Sequence, residues 1–318
     1  MMQLDRMTLG RVAREMGFVR DTFEKVCRLA DVLKFMEEDE ILARSIALKG
    51  GTAINLTIFD LPRLSVDIDL DYCKSIERGE MLADREIITD KISKYMVANG
   101  YTLSHKSKTY HALDSFVYEY VNSGGVRDNL KIEINYMLRC HVLPVARRKV
   151  KLPWNQDMLT VLSLSPLEIF ASKMVALLTR TAPRDLYDIY NMVKYGLFDV
   201  SEEDMLRKCA VLYSAIGAEQ PPERFKMEHI GNISAQQIKR DLNPVLRKGE
   251  KFDLESVQKE VKVYMTSVMM PTEEEENFWR EFAGGKYCPE LIFGDSLEMK
   301  NISDHPMALW KCRSTSQF

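Results

Sequence analysis

Lys49-Gly50-Gly51-Thr52-Ala53-Ile54-Asn55-Leu56, followed by Arg63-Leu64-Ser65-Val66-Asp67-Ile68-Asp69-Leu70-Asp71, anchors the architecture of this chain. From Ser65 onward apolar and acidic residues alternate, the period-two pattern of a strand. Val66, Ile68 and Leu70 share one face, and Asp67, Asp69 and Asp71 share the other. Upstream, Ile46-Ala47-Leu48 reads as a short strand stopped by the glycine pair. Ala53, Leu56 and Phe59 then predict a short helix that starts at Thr52 and stops before Pro62.

The residue types in this order carry chemistry. Carboxylates at alternate strand positions lie about 7 Å apart and repel one another. A strand of Val, Ile and Leu belongs inside a sheet, so its acidic face needs a cation, and all-oxygen ligands favour Mg2+ or Mn2+. Taken alone, a solvated acidic face is the commoner explanation. The glycine turn shifts that balance. Gly50 and Gly51 let backbone amides approach a ligand closely, and Thr52 opens a helix whose N-terminus favours phosphate.

Outward from this stretch, residues 8–40 carry Val12, Met16, Val19, Phe23, Val26, Leu29, Leu33 and Met36 at helical spacing, with Gly17 as an interruption. A charged helix is expected over 77–98, closing at Asn99-Gly100. Residues 112–121 and 129–137 form a hairpin around Asn122-Ser123-Gly124-Gly125. In its second strand Leu130, Ile132, Ile134 and Tyr136 share one face, and Lys131, Glu133 and Asn135 the other. The basic run Arg147-Arg148-Lys149-Val150-Lys151, near Arg139, reads as a solvated charge run or as a phosphate track for an RNA acceptor. A last strand is expected near 158–164.

Ser165-Pro166-Leu167-Glu168 has the form of a helix start, with Glu168 closing a capping box on Ser165. That helix runs through Lys173 to about Arg180. Thr181-Ala182-Pro183 breaks it, and a second helix runs from Arg184-Asp185 to Tyr195, capped by Gly196. By spacing, Lys173 snorkels to water, and Arg184 and Asp188 form an ordinary i,i+4 pair. Beyond Val200 the chain is mostly helical, broken at Pro221-Pro222 and Pro271. Glu273 to Glu276 read as the solvated first turn of a helix that carries Phe278, Trp279 and Phe282. Strand patterning gives way to helices near 150–165.

The bulk numbers bound the rest. The 318 residues are 46% hydrophobic and 29% charged, with a net charge of −3, so no global positive field announces nucleic acid. The six cysteines are widely scattered, and free thiols in a reducing cytoplasm are the simplest expectation. The five histidines show no metal-ligand spacing. No apolar run approaches the ~20 residues of a membrane span. Charges at Asp5, Arg6, Arg11 and Arg14 argue against a signal peptide, so a cytoplasmic protein is expected.

The quoted stretch, from Leu48 to Leu56 and from Arg63 to Leu70, resembles the DNA polymerase β-type nucleotidyltransferase superfamily. More narrowly it resembles the AbiEii/AbiGii group of bacterial nucleotidyltransferase toxins. Residues 166–190 (PLEIFASKMVALLTRTAPRDLYDIY) are similar to that group's second motif, and residues 288–311 to its tails. The fold this implies is α+β: a polymerase β-like nucleotidyltransferase core, with a mixed sheet and flanking helices, over 1–155. A mainly helical C-terminal domain over 156–318 would complete the active site.

The activity implied is a Mg2+- or Mn2+-dependent transfer of a nucleotide from an NTP to an acceptor, the tRNA 3′ end in known members. The protein would be the toxin of a toxin–antitoxin or abortive-infection system, with a cognate antitoxin as partner and no membrane. By the same resemblance Gly50, Gly51 and Thr52 match the phosphate-contacting turn; many members carry Ser where this chain has Thr52. Asp67 and Asp69 match the metal-binding pair, and Lys173 matches the lysine that contacts the triphosphate. Asp185 matches a late acidic residue that orients or deprotonates the acceptor hydroxyl. Glu133 stays open between a third metal carboxylate and a cross-strand salt bridge to a lysine, and Asp71 is the weaker third aspartate. The Lys173–Asp185 segment is expected to face the aspartate strand across one cleft. Two alternatives remain: a same-fold enzyme acting on a small molecule or a protein hydroxyl, and an inactive metal- or nucleotide-binding module. Retention of Gly-Gly-Thr, Asp-x-Asp and Lys173 together weighs against the second.

Overall fold

The computed structural model describes residues 5–154 and 158–315, so the domain boundary expected at 155/156 lies outside the described residues. The chain forms two compact units, each discontinuous in sequence. The first comprises Met1–Arg139, Val145–Leu164 and Pro244–Glu250; the second comprises Cys140–Pro144, Ser165–Asn243 and Lys251–Phe318.

The first unit opens with α1 (Arg6–Glu15), capped by the Asp5 carboxylate, and α2 (Arg20–Glu38). Gly17 separates them at φ +79, a left-handed conformation that glycine adopts without strain. There follow α3 (Leu42–Ser45), β1 (Ile46–Lys49), α4 (Gly50–Ala53) and a π turn over Ile54–Ile58. The helical segment therefore begins at Gly50, two residues before the expected Thr52. Next come β2 (Asp67–Tyr72), α5 (Arg78–Ala98), β3 (Thr102–Leu103), β4 (Lys108–Thr109), β5 (Leu113–Val121) and β6 (Arg127–Asn135). The unit's strands end with β7 (Ala146–Lys149) and β8 (Thr160–Ser163).

The eight strands among the described residues form one mixed sheet in the order β3-β5-β6-β2-β1-β8-β7, with β4 paired to β5. The β2–β6 and β1–β8 pairs are parallel and the others antiparallel. Helices cover the face that carries Leu48, Leu70 and Tyr72. Leu33 and Met36 of α2 line a small apolar cavity with Leu48 and Leu70, and the Tyr72 hydroxyl donates to Asp84 of α5 at 2.7 Å. Phe35 and Tyr95 stack between the two helices, ring centroids 3.9 Å apart. The opposite face, at the odd-numbered positions of β2 and β6, carries the aspartates.

Arg147, Arg148 and Lys149 of the basic run lie in strand β7, at the sheet edge. Its charged side chains suit an edge that must not pair with another chain. Arg147 is salt-bridged to Glu37, and the Lys151 ammonium donates to the Ile58 carbonyl at 2.8 Å. These two cations thus already have partners within the fold. Residues 244–250 complete the unit. The Leu64 amide donates to the Val245 carbonyl at 2.8 Å, Arg63 bridges Leu246, and Arg247 donates to the Met16 and Leu61 carbonyls.

The second unit is helical: α6 (Pro166–Arg180), α7 (Pro183–Lys194), α8 (Val200–Gly217), α9 (Ala235–Gln237), α10 (Leu254–Val268) and α11 (Glu273–Ala283). Three short helices follow, α12 (Glu290–Phe293), α13 (Leu297–Ile302) and α14 (Pro306–Thr315). The capping box predicted at Ser165 is not formed, since the Ser165 side chain makes no cap hydrogen bond. Glu168 is instead fully buried and accepts from the Val142 amide at 2.8 Å, the Leu143 amide at 3.0 Å and the Tyr213 hydroxyl. A tertiary clamp has taken the carboxylate that local pattern assigned to the helix end. The four-glutamate turn also differs from expectation at one position. Glu275 is buried, closes a capping box with Thr272 and pairs with Arg207 at 2.9 Å.

Glu168→Ala strands two amides and a phenol in the interior. It should cost roughly 3 kcal/mol or more of stability, seen as a lower urea midpoint. A loss no larger than that of an exposed Glu→Ala change would refute the clamp.

Candidate functional site

The glycine turn is shaped by what packs on it. Gly50 has φ +66, and a Cβ there would stand 2.6 Å from Asp69 Oδ2. A Cβ on Gly51 would stand 2.9 Å from both Arg63 Nη2 and Ser65 Oγ. Neither position has room for a side chain. Thr52 is buried, and its hydroxyl donates to the Asp67 carbonyl. Asn55, also buried, donates from Nδ2 to the Gly51 carbonyl at 2.7 Å and accepts the Arg63 amide at 3.3 Å. Arg63 is buried and donates from Nη1 to the Leu64 carbonyl at 2.9 Å. The turn is thus clasped to the aspartate strand on one side and to the Arg63 segment on the other. The resemblance assigns Thr52 to phosphate contact, whereas its side chain here acts as the clasp.

Register then sets the acidic face. Asp69 lies opposite Lys49 on β1 and opposite Glu133 on β6, while Asp67 lies opposite Lys131. Asp67 and Asp69 are half-buried. Asp71 differs: it is buried and salt-bridged to Lys49 at 2.5 Å. Burial raises its carboxyl pKa, and the Lys49 charge only partly opposes that. Asp71 is therefore committed to a buried ion pair within the sheet, which sets it apart from the half-buried Asp67 and Asp69.

Glu133 is engaged by a lysine of its own strand rather than one across the sheet, with Lys131 Nζ 2.8 Å from Oε2. Burial penalises the Lys131 ammonium. The bond to Glu133 and the charges of Glu133, Asp67 and Asp69 outweigh that penalty and hold its pKa above the ordinary lysine value. Among the described residues no three His, Cys, Asp or Glu side chains are gathered as a metal-binding group. Asp67 and Asp69 nevertheless supply the hard oxygen donors that suit a divalent cation.

The second unit holds a separate charged cluster. Thr181, left-handed at φ +50, ends α6, and Pro183 starts α7 two residues later. This tight corner brings Lys173 onto α7. Its ammonium lies 2.9 Å from Asp185 Oδ1 and 3.2 Å from Asp188 Oδ2. Arg180 reaches the same Asp185, with Nε 2.7 Å from Oδ2 and an Nη2 bond to Oδ1 at 2.9 Å. Lys173, Asp185 and Asp188 are buried, whereas the Arg180 side chain is 61% exposed. Lys173 does not simply snorkel to water, and the partner expected for Asp188 is replaced: it takes Lys173, while Arg184 donates to the Asp241 carbonyl at 2.9 Å.

Burial opposes the Asp185 charge, but Lys173 and Arg180 win and hold the carboxyl at about 2. A carboxylate with that pKa is a poor proton acceptor at neutral pH. Its effect here is to fix two cations.

Sequence reasoning missed Asn55, Arg63, Lys131 and Asp188. The available signal was a lone polar residue in an apolar stretch for the first two, and i,i+2 or i,i+15 spacing to a charged partner for the others.

The family model for the nucleotidyl transferase AbiEii toxin, type IV toxin–antitoxin system, matches residues 34–263. No curated protein matches the sequence. Among solved structures the chain is similar to MenT4, a nucleotidyltransferase toxin from Mycobacterium tuberculosis H37Rv. The TM-score is 0.64 at 14% identity, over 87% of this chain and 93% of that one. The similarity extends to the fold: a mixed sheet with flanking helices, followed by a helical region.

Gly50→Ala should destabilise the protein more than Gly100→Ala. Both residues have positive φ, worth about 1–2 kcal/mol against an L side chain, but nothing lies within 4 Å of a Cβ at Gly100. Equal shifts in thermal midpoint would contradict the close Asp69 contact. For Asp185 the folded pKa lies below the unfolded value, so its stabilisation is full above about pH 4 and is lost as pH falls through about 2. Asp185→Asn should therefore cost about 2 kcal/mol at neutral pH. The gap to the parent protein should close between pH 4 and 2 in urea titrations, and a gap that does not narrow would contradict the assignment.

Proposed function

The chain belongs to the AbiEii family of nucleotidyl transferase toxins of type IV toxin–antitoxin systems, and from that premise we propose how its residues divide the work. It is a nucleotidyltransferase with an NTP as substrate and an antitoxin as cognate partner. Asp67 and Asp69 hold a divalent ion, Mg2+ or Mn2+. When bound, that ion supplies charge neutralisation on the triphosphate and polarises the transferred phosphoryl group.

The observation that carries this reading is the contact between Gly50 and Asp69. The Asp69 carboxylate packs directly on the glycine turn, which supports a site where an ion at the aspartates and phosphates at the turn would be neighbours. The Gly50 and Gly51 backbone and the helix start accept the triphosphate. Thr52 keeps the turn on the aspartate strand. Lys173 contacts the triphosphate, and Asp185 with Asp188 orients it; Asp185 is a positioning residue rather than the base. Glu133 is the reserve third carboxylate beside Asp69.

The acceptor is the 3′ end of tRNA in the cytoplasm. No described helix is long and apolar enough to cross a membrane.

The test is incubation with each labelled NTP, Mg2+ and total tRNA. Label should enter tRNA with the parent protein, and Asp69→Ala should lower the rate at least ~100-fold, the scale of removing a main electrostatic group from a phosphoryl-transfer site. Label on protein or a small molecule instead of RNA would overturn the tRNA assignment. Transfer that survives Asp69→Ala would overturn the metal assignment.

A further inference from the structure

Beside Lys49, which is paired to the buried Asp71, the aspartate face carries Lys131, a positive side chain that the proposed reaction does not use. Lys131 stands opposite Asp67 in the parallel β2–β6 register, one row from Asp69 and Glu133. Its ammonium is bonded to Glu133, and the two side chains are 37% and 27% exposed. A partly solvated pair of this kind contributes modestly to stability, so stability is a weak reason for its position. Electrostatics give a stronger one. A fixed ammonium within several ångströms of a divalent site repels the incoming ion, and a glutamate that bonds the ammonium is withheld from that ion.

Resting on the two-aspartate site proposed above, we propose that Lys131 is a tethered counter-ion that weakens divalent-ion binding at Asp67 and Asp69 and withholds Glu133 as a third ligand. Lys131 is then a positioning residue that tunes the metal affinity of the free protein. Its ammonium occupies the Glu133 oxygen that would otherwise turn to the ion. Binding of the ion requires Lys131 and Glu133 to part, and that separation sets the affinity.

Mn2+ binding to the full chain without nucleotide, followed by the loss of the free-ion electron paramagnetic resonance signal, tests this directly. Lys131→Met should bind Mn2+ about tenfold more tightly than the parent protein, the size expected for removing one nearby charge and releasing a carboxylate. Lys131→Arg keeps the charge and should stay within about twofold of the parent. Glu133→Gln leaves the ammonium uncompensated beside the aspartates and should bind several-fold more weakly. Its response does not depend on whether Lys131→Met folds.

Unchanged or weaker binding by folded Lys131→Met, or unchanged binding by Glu133→Gln, overturns the proposal while the metal site stands. Undiminished Mn2+ binding by the double variant Asp67→Asn, Asp69→Asn would instead overturn the two-aspartate site, and with it the premise.

Discussion

A missing side chain holds this site together. Because Gly50 has no Cβ, the Asp69 carboxylate packs directly on the backbone of the turn. A single methyl group there would have to displace the carboxylate or the turn. Every other contact around the turn follows from keeping that approach in register. The Thr52 hydroxyl ties the turn to the Asp67 backbone, Asn55 ties it back to Arg63, and the central position of β2 fixes the strand on both sides. The sheet is thus a frame that brings a carboxylate and a helix start together at van der Waals distance.

The charges in each unit are largely settled internally. On the sheet Lys49 takes Asp71 and Lys131 takes Glu133, while Asp67 and Asp69 are half-buried on the same face. In the helical unit Lys173 and Arg180 balance Asp185 and Asp188. Burying such groups costs several kcal/mol of desolvation per ion, repaid only by good geometry. The cluster at Asp185 meets that condition, with each Asp185 oxygen bonded and its pKa held low. Such a cluster orders a lysine and an exposed arginine at the cost of their freedom.

Much of the frame could be read from residue order, because a period of two and a glycine pair are local signals. The β2 faces, the hairpin, the break at Gly17 and the corner at Thr181-Ala182-Pro183 all appear as the pattern requires. The failures share a cause: a long-range partner outbid a local one. Glu168 left its capping box for the Val142 and Leu143 amides and Tyr213, and Glu275 left solvent for Arg207. At the site, alternation put three aspartates on one face but could not rank them. Only its ion pair with Lys49 and its burial separate Asp71 from the other two. Arg63 and Asn55 were invisible for the same reason, since their roles exist only once the turn folds back on them.

The return of residues 244–250 to the first unit sets a schedule for synthesis. Arg247 reaches the Leu61 carbonyl across 186 residues of sequence, and Val245 and Leu246 close on Leu64 and Arg63 beside the glycine turn. At a ribosomal rate of about 5–20 residues per second, roughly 10–40 s pass between emergence of the turn and emergence of the segment that finishes its surroundings. During that interval the nascent chain carries the glycine turn and the aspartates without the backbone that braces Arg63. A chain built this way completes its sheet unit late in its own translation, after the first half of the helical unit has already left the ribosome.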